Sequence, residues 1–324
     1  MSKSKFYLGI GPMSKEIIDS VLDYKPPKDV QLMLISSENQ INRDGGYTGF
    51  TTKSFNNYVG NTHVWKCRDH CGPNFYYKTQ EECFETIKSD IANGFDLIHI
   101  DACWLDEEDK ISYTKKAMSI GLENPDIKFE IGTEVNTVNN RIQPKKLEHY
   151  IASVNEIANP FFYVLETGSV VQGYSNSGKF APCKDSLHIL NKWGIKVKEH
   201  NADYINSEQI SNRKGVIHGM NIAPQFGVLQ TSIVLTECTI YGINSTDFKN
   251  QVYTNNNWKK WSVDDLTSPD YAVLLGGHYH FDQDLYKRLI DKLSKVTDIE
   301  KTIKLGIKRL ISHYINSYRG NNGS

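Results

Sequence analysis

The chain lacks the sequence features of several large protein classes. Its 324 residues include 37 basic and 38 acidic side chains, and no segment collects one sign of charge. Neither nucleic acid nor an anionic membrane surface is therefore an expected partner. No stretch approaches the roughly 18 apolar residues of a membrane-spanning helix, and MSKSKFYLGIGPMSK lacks the apolar run of a signal peptide. These absences predict a cytoplasmic protein.

Two common cysteine and glycine motifs are missing as well. The six cysteines form no CxxC pair, and a chain of this size needs no disulfide staples, so we expect reduced thiols. No GxGxxG follows the first apolar run, which argues against a doubly wound dinucleotide-binding fold.

What the sequence does contain is a regular series of short, β-rich apolar runs. Their centres lie near Leu8, Met33, Val64, Leu97, Phe129, Tyr163, Val197 and Ile217. Between Met33 and Val197 the successive spacings are 31, 33, 32, 34 and 34 residues, and helical patterns fill the gaps. That spacing is the length of a strand, a helix and two loops. Eight such units predict an α/β protein with a closed (β/α)₈ TIM barrel.

The pattern predicts one domain over residues 1–324. The barrel is expected over about 5–243, and a C-terminal extension over about 244–319. Within that extension, residues from about 245 to 282 are rich in Asn and aromatics and are expected to be irregular, while two extra helices follow.

In such barrels the active site lies where the strands end in the loops that follow them. The polar groups at these ends are Asp69-His70, His99-Ile100-Asp101, Glu130 to Glu134, Glu166, Glu199-His200-Asn201-Ala202-Asp203 and His218 to Asn221. Ionisable groups at a barrel mouth cost free energy unless they pair, bind a metal or meet a polar substrate. The pattern therefore indicates a site at this rim.

Several segments also carry a family resemblance. ISSENQINRDGGYTGFTTKSFNNYV, together with RDHCGPNFYY, HIDACWLDEED, FEIGTEVNT, SVVQG and KEHNADY, resembles the D-tagatose-bisphosphate aldolase accessory-subunit family. That family is related to the class II, metal-dependent aldolases and to ketose and keto-uronate C4-epimerases. The resemblance runs in order from about residue 8 to 240. It implies a barrel that takes a sugar or a sugar phosphate.

The resemblance also implies roles for individual residues. The Asp-His pair of class II aldolases corresponds to Asp69 as acid/base and His70 as a metal ligand, and His200 would be a second ligand. The third ligand must come from ETGSVVQG, which has no histidine. Glu166 is preferred over Gln172, because a carboxylate binds a divalent ion more strongly and Glu166 ends the strand.

The remaining expectations complete this site. Glu134 is expected as a second acid/base group, and the ion is expected to be Zn²⁺, with Mn²⁺ or another divalent ion as the alternative. The expected substrate contacts are Asn39, Tyr47, Asp101, Gln172, Asn201, Asp203 and Asn221.

Some histidines allow two interpretations from the sequence alone. His99 either satisfies Asp101 inside the barrel or contacts substrate, and His218 is similarly ambiguous. An ordinary aromatic loop is the preferred interpretation of His278-Tyr279-His280, with a lid contact as the alternative.

The chemistry that fits is cleavage or formation of the C3–C4 bond of a ketose. This reaction passes through an enediolate, whose charge a divalent cation neutralises while a carboxylate moves the C4-hydroxyl proton. The outcome is C4 epimerisation if the aldehyde turns over and re-adds, and aldol cleavage if it leaves.

The substrate and the partners stay open at this stage. The later loops lack a Gly-rich phosphate-binding run, so a ketose, a ketose phosphate and a nucleotide-linked keto sugar are all considered. The alternative function is a non-catalytic accessory subunit that stabilises a partner tagatose-bisphosphate aldolase. The expected partners are a carbohydrate and either a second copy of the chain or that aldolase subunit.

Overall fold

Eight parallel strands close into a barrel in a computed structural model that describes residues 5–73, 79–132, 143–262 and 268–320. The strands are β1 Phe6–Ile10, β2 Val30–Ser36, β3 Trp65–Cys71, β4 Leu97–Ile100, β5 Lys128–Gly132, β6 Phe162–Val164, β7 Lys196–Glu199 and β8 Gly219–Ile222. Each strand pairs with the next along the chain, and β8 pairs with β1. The predicted TIM barrel is confirmed.

Helices follow the strands on the outside of the barrel. They are α1 Lys15–Leu22, α2 Thr52–Val59, α3 Gln80–Ala92, α4 Glu107–Ile120, α5 Pro144–Asn155, α6 Lys184–Lys192, α7 Ser207–Ser211 and α8 Pro224–Ile240. Local sequence sets their ends: Thr79 and Glu82 form a capping box at the start of α3, and Gly94, at φ 73°, turns the chain after it. No helix in the described ranges is both long and apolar enough to span a membrane.

Two short strand pairs lie in the loops. Ile41–Asn42 pairs with Phe50–Thr51 in the loop after β2, and Val171–Gln172 pairs with Ser175–Asn176 in the hairpin after β6. The hairpin turn at Gly173 donates its N–H to the carbonyl oxygen of Trp261 (2.8 Å). This bond joins a barrel loop to the C-terminal extension.

The apolar side chains form separate inner and outer clusters. The small cluster consists of side chains from alternate positions of the strands, and its buried members are Tyr7, Met33, Ile35, Cys67, Leu97 and Phe162. The large cluster lies between the strands and the helices. Because side chains alternate along a strand, one set of residues fills the barrel and the other packs against helices.

The C-terminal extension is more regular than the sequence predicts. It contains α9 Thr246–Asn255, a 3₁₀ helix Asn257–Lys260, α10 Pro269–Gly276, a 3₁₀ helix Gly277–His280, α11 Asp284–Ser294 and α12 Ile299–Arg319. The expectation of an irregular segment over 245–282 was therefore wrong. Phe248 and Val252, one turn apart, are buried, and Ser268 caps α10, so packing and capping outweigh an Asn-rich composition.

Helix α12 ties the extension to the barrel. The Tyr314 hydroxyl donates to the carbonyl oxygen of Ala202 (2.8 Å), in the loop after β7. The Tyr318 hydroxyl donates to the carbonyl oxygen of Ile217 (2.6 Å), just before β8, and its ring stacks on Phe6 at 3.8 Å. These contacts fix the extension beside the last two strands.

A buried ion pair anchors β3 just before its carboxyl end. Arg68 makes two hydrogen bonds to Asp90 of α3, at 2.6 and 2.8 Å, and both side chains are fully buried. The same guanidinium donates to the carbonyl oxygens of Ser36 and Ile41. The pair therefore links strand β3, helix α3 and the loop after β2.

We expect Asp90→Ala to destabilise the fold by about 3–5 kcal/mol, because it leaves a buried guanidinium without its carboxylate. Urea unfolding followed by circular dichroism measures this. The control is Glu85→Ala on the same helix, where Glu85 pairs only with exposed Lys88 and no measurable change is expected. Equal midpoints for both variants would show that the Arg68 pair does not hold the barrel.

Candidate metal centre and active site

A break in the regular geometry of β3 brings two adjacent side chains to the barrel mouth. The register with β4 shifts between Arg68 and Cys71, and His70 has a left-handed backbone at φ 51°. In a regular strand, Asp69 and His70 would face opposite sides of the sheet. The bulge lets both face the mouth, at a cost of about 1–2 kcal/mol for a non-glycine residue in this conformation.

Asp69, His70, His99 and His200 meet at this mouth. One candidate ligand atom from each lies within 4.8 Å of the others. Asp69 Oδ1 is 3.8 Å from both His99 Nδ1 and His200 Nδ1, and Asp69 Oδ2 is 3.7 Å from His70 Nε2. Three imidazoles and one carboxylate at these separations form a set that suits a transition-metal ion.

The ring nitrogen of each histidine that faces away from Asp69 has its own acceptor. His70 Nδ1 bonds to Asp101 Oδ2 (2.7 Å), and His99 Nε2 bonds to the carbonyl oxygen of Gly132 (2.7 Å). His200 Nε2 bonds to Glu130 Oε1 (2.5 Å). Such bonds at the rear nitrogen fix the tautomer of each ring and leave the other nitrogen with a lone pair. The lone pair of His99 Nδ1 accepts the backbone N–H of His70 (3.2 Å), and His200 Nδ1 lies 3.4 Å from His70 Nε2.

Glu130 is held in turn by a lysine inside the barrel. Lys198 Nζ lies 2.6 Å from Glu130 Oε2, and the two side chains are 1% and 0% exposed. Glu130 belongs to β5 and Lys198 to β7, so the pair spans β6. A buried pair of this kind holds the carboxylate in one orientation toward His200.

The carboxylates of the centre are ionised. Burial raises the pKa of Asp69, but His70, His99 and His200 outweigh it and hold that pKa well below its usual range. Burial likewise opposes the ionised forms of Asp101 and Glu130. Hydrogen bonds and neighbouring positive charges outweigh burial and bring both pKa values to about 2. The main partner is His70 for Asp101 and Lys198 for Glu130.

The histidines respond to this field in opposite directions. Burial lowers the pKa of His200 to about 4, so its ring is neutral. For His99, burial is outweighed by Asp69, Glu130 and Asp101, which raise its pKa to about 9. The raised pKa reflects a local excess of negative charge, and a metal cation would neutralise the same excess in place of a proton.

The formal charges of the groups at this centre also show an excess of negative charge. Among the described groups bonded within this centre, Asp69, Asp101 and Glu130 are three carboxylates and Lys198 is one ammonium, which leaves two negative charges. Once His99 has lost the proton that its raised pKa retains, this excess fits a divalent cation. His70, His99 and His200 are the residues that would hold it, with the Asp69 carboxylate beside them.

A glycine makes room for the group that orients Asp69. Asn221 Nδ2 donates to Asp69 Oδ1 (3.3 Å) across the barrel. A Cβ on Gly9 would lie 2.3 Å from Asn221 Oδ1, so β1 requires glycine at this position.

A cavity of about 280 Å³ opens onto the cluster. Besides Asp69, His70 and His200, it is lined by five residues that the sequence predicts as substrate contacts: Asn39, Tyr47, Asn201, Asp203 and Asn221. Asp203 also accepts the backbone N–H groups of Ala223 and Gln225 at the start of α8. Its carboxylate therefore caps a helix as well as facing the cavity.

Other predicted residues lie elsewhere. Asp101 is fully buried and reaches the centre through His70, and Gln172 is exposed on the hairpin after β6. Glu166 is half-buried and belongs neither to the ligand cluster nor to the cavity lining. Glu134 falls outside the described residues.

The loop that carries Glu166 is fixed by a different network. Thr167 and Ser169 donate hydroxyl bonds to Glu199 at 2.5 and 2.6 Å, and Arg213 donates two bonds to the same carboxylate. Glu199 is thus a structural anchor for the loop after β6. The described cluster contains His99, whereas Glu166, the predicted third ligand, lies outside it. His218, the other ambiguous histidine, accepts the Val197 N–H instead.

The C-terminal extension contributes to the cavity in a way that the sequence did not predict. Lys260 and Trp261, after the first 3₁₀ helix, line the cavity, as do His278 and Tyr279 of the second. Trp261 Nε1 donates to the Tyr279 hydroxyl (3.1 Å), and the ring of Tyr279 contacts that of Tyr47. The aromatic motif His278-Tyr279-His280 was the sequence feature that could have indicated this contribution. Because His278 and Tyr279 line the cavity, the motif forms part of the cavity wall and not an ordinary loop.

Part of the chain is similar to proteins of known description. The model of the family described as D-tagatose-1,6-bisphosphate aldolase subunit GatZ/KbaZ-like matches residues 9–120. The predicted family resemblance is confirmed. The GatZ subunit of Escherichia coli O1:K1 is 23% identical over 171 residues, which are 44% of this chain and 40% of that protein. The chain thus matches about two fifths of the length of this GatZ relative.

A second GatZ relative and several solved structures complete the comparison. The GatZ subunit of Salmonella paratyphi B is 30% identical over 100 residues, covering 26% of this chain and 24% of that protein. A protein described as a probable tagatose 6 phosphate kinase from Sinorhizobium meliloti 1021 superposes with a TM-score of 0.78 at 14% identity, over 97% of this chain and 100% of that one. The fructuronate-tagaturonate epimerase UxaE of Cohnella laeviribosi gives 0.63 at 10% identity, over 98% and 82%. At these identities the structures show a shared fold.

The role of the carboxylate behind His200 can be tested directly. We expect Glu130→Gln to weaken Zn²⁺ binding about 10- to 100-fold, because the amide no longer holds His200 with a charge-assisted bond. Competition with a chromophoric chelator measures the dissociation constant. Glu156→Gln, at an exposed carboxylate far along α5, serves as the control. Unchanged zinc affinity in Glu130→Gln would show that Glu130 does not support the centre.

Proposed function

We propose that the chain is a metal-dependent sugar enzyme that breaks or forms the C3–C4 bond of a ketose, as a C4-epimerase or a class II-type aldolase. The carrying observation is the convergence of Asp69, His70, His99 and His200, with the far nitrogen of each imidazole held by an acceptor. An arrangement that orients three imidazoles toward one point has a clear use in metal binding.

The proposed roles follow from these contacts. His70, His99 and His200 hold a divalent cation, which when bound supplies Lewis-acid stabilisation of charge on the oxygens of the substrate. Asp69, oriented by Asn221, takes and returns the C4-hydroxyl proton. Glu134 remains the predicted second acid/base group.

The size of the cavity favours a small substrate. Its volume of about 280 Å³ is at the lower end of ligand pockets, which span roughly 300–1,000 Å³. A free or phosphorylated ketose therefore fits the described walls better than a nucleotide-linked keto sugar. Asn39, Tyr47 and Asn201 offer polar groups for its hydroxyls.

A second candidate function is suggested by the relatives, which are described as subunits of D-tagatose-1,6-bisphosphate aldolase. In that case the chain would stabilise a partner aldolase without chemistry of its own. A stabilising surface has no physical need for buried carboxylates that orient histidines at a barrel mouth. We therefore prefer the enzyme.

The proposal predicts about one Zn²⁺ or Mn²⁺ ion per chain after loading. Incubation with ketoses, ketose phosphates and keto-uronates should then give a C4 epimer or cleavage products. Removal of the ion with a chelator, or Asp69→Asn, should lower the rate at least about 10²-fold, the contribution typical of acid/base catalysis. Metal analysis and chromatography of the sugars measure these outcomes.

His149→Ala is the control for histidine substitutions, because His149 is exposed on α5 and distant from the cluster. Turnover that survives complete metal removal would reject the enzyme proposal. A chain that binds no metal, turns over no sugar and raises the stability of a co-expressed aldolase would establish the accessory function instead.

The third ligand can be identified separately. If His99 binds the ion, His99→Ala should weaken zinc binding by more than tenfold. The reason is that removal of a direct ligand costs at least as much as loss of a residue that orients a ligand. Glu166→Gln should then leave zinc binding nearly unchanged. The reverse order would restore the Glu166 assignment made from the sequence. The same chelator competition measures both.

A further inference from the structure

We propose that Lys260 and His278 form a subsite for an anionic group of the sugar, either a phosphate or a carboxylate. The inference rests on the proposed function, because it names the class of substrate for the same cavity. Both residues come from the extension, outside the barrel strands that carry the candidate chemistry.

Lys260 brings a cation to the wall of the cavity. It ends the 3₁₀ helix Asn257–Lys260 and lines the same cavity as Asp69, His70 and His200. Its Nζ lies 5.0 Å from the centre of the Trp261 ring. Within the described ranges, no Asp or Glu oxygen lies within ion-pair distance of this ammonium.

The carboxylates that line the cavity are already engaged. Asp69 faces the three histidines, and Asp203 accepts two backbone N–H groups at the start of α8. Asp69 still acts on Lys260 through space, and the packing around the ammonium lowers the pKa of Lys260 even though part of its side chain is exposed. An ammonium in such surroundings is stabilised by an incoming anion.

His278 gives an independent observation. Its side chain is 2% exposed and lines the cavity, yet its buried Nδ1 has no hydrogen-bond partner among the described residues. Burial and the nearby Lys260 lower its pKa to about 3, so the ring is neutral and has one donor and one acceptor. A buried polar group without a partner costs about 1–3 kcal/mol. A ligand oxygen would satisfy the donor.

The position of His278 is enforced by close packing. A Cβ on Gly227 of α8 would lie 2.6 Å from His278 Cβ, so the helix can approach only with glycine at that point. On the other side, the ring contacts those of Tyr47 and Tyr279. The imidazole is therefore held in place next to the cation.

The geometry defines what the substrate must carry. The Asp-His cluster and the Lys260–His278 subsite line one small cavity, so a monosaccharide with an anionic end can contact both. A neutral ketose would contact the cluster but would offer no negative charge to the ammonium. This subsite also explains how an anion can be recognised without Gly-rich loops after the later strands.

Binding of matched sugars tests the subsite. Calorimetry on the zinc-loaded protein compares D-fructose and D-tagatose with their 6-phosphates and with the corresponding keto-uronates. We expect at least one anionic class to bind about tenfold or more tightly than the neutral sugars, as a charge-assisted bond provides. Lys260→Gln should remove that difference, and the anionic class that loses affinity identifies the group as phosphate or carboxylate.

Lys259→Gln is the matched control, because Lys259 is exposed, lies over the Trp258 ring at 5.7 Å and does not line the cavity. It should keep the preference for the anionic sugar. His278→Phe keeps the ring packing and removes both nitrogens, so it should reduce the preference. An unchanged preference in His278→Phe would remove the imidazole from the subsite.

Failure of the subsite is distinguishable from failure of the enzyme proposal. Thermal shifts by inorganic phosphate and by acetate are measured on the metal-free protein, with Lys260→Gln alongside. Protection by either anion that Lys260→Gln abolishes supports the subsite even if zinc never binds. Neutral sugars that bind as tightly as anionic ones, together with equal anion protection in Lys260→Gln, would overturn it.

Discussion

The candidate site depends on the hydrogen bond at the rear nitrogen of each imidazole. Asp101, the Gly132 carbonyl and Glu130 each take one ring nitrogen, so all three rings present the opposite nitrogen to Asp69. Free imidazoles would rotate, and each would sample both tautomers. Because these acceptors are buried, the rings are oriented before any ligand arrives, and the free energy of burying the carboxylates is offset only where their partners stay in place.

Barrel geometry makes this arrangement available at low cost. Glu130 and Lys198 lie on alternate strands and meet inside the barrel, where a layer of side chains is shared between such strands. The bulge at His70 then turns the His70 side chain toward the mouth, whereas the alternation of a regular strand would direct it away. One strained residue and one buried ion pair thus position ligands that are distant in the sequence. The strain, about 1–2 kcal/mol, is small beside the roughly 3–5 kcal/mol expected from breaking the Arg68–Asp90 pair on the same strand.

The sequence predicts the barrel because its signal is periodic and each unit is local. It also places Asp69, His70 and His200 at strand ends, and the structure brings these three together. His99 was ambiguous because its role depends on which acceptor lies behind it, and that acceptor belongs to the next strand. Lys198 and Glu130 are charged residues within strands. Their pairing across the barrel explains why charges occur there, but this pairing is evident only once the fold is known.

The regular structure of the extension, by contrast, could not be read from its composition. Helix α10 is held by packing against α8 and α9. The sequence around it is rich in Asn, so composition alone does not indicate the apolar positions Ala272, Val273 and Leu275. This matters for function, because the extension supplies one wall of the cavity. Candidate chemistry on the strands and recognition on the extension are thereby separate features of the chain. If the proposed function holds, substitutions in the extension change which sugars bind, while the orientation of the histidines, set by buried groups inside the barrel, stays the same.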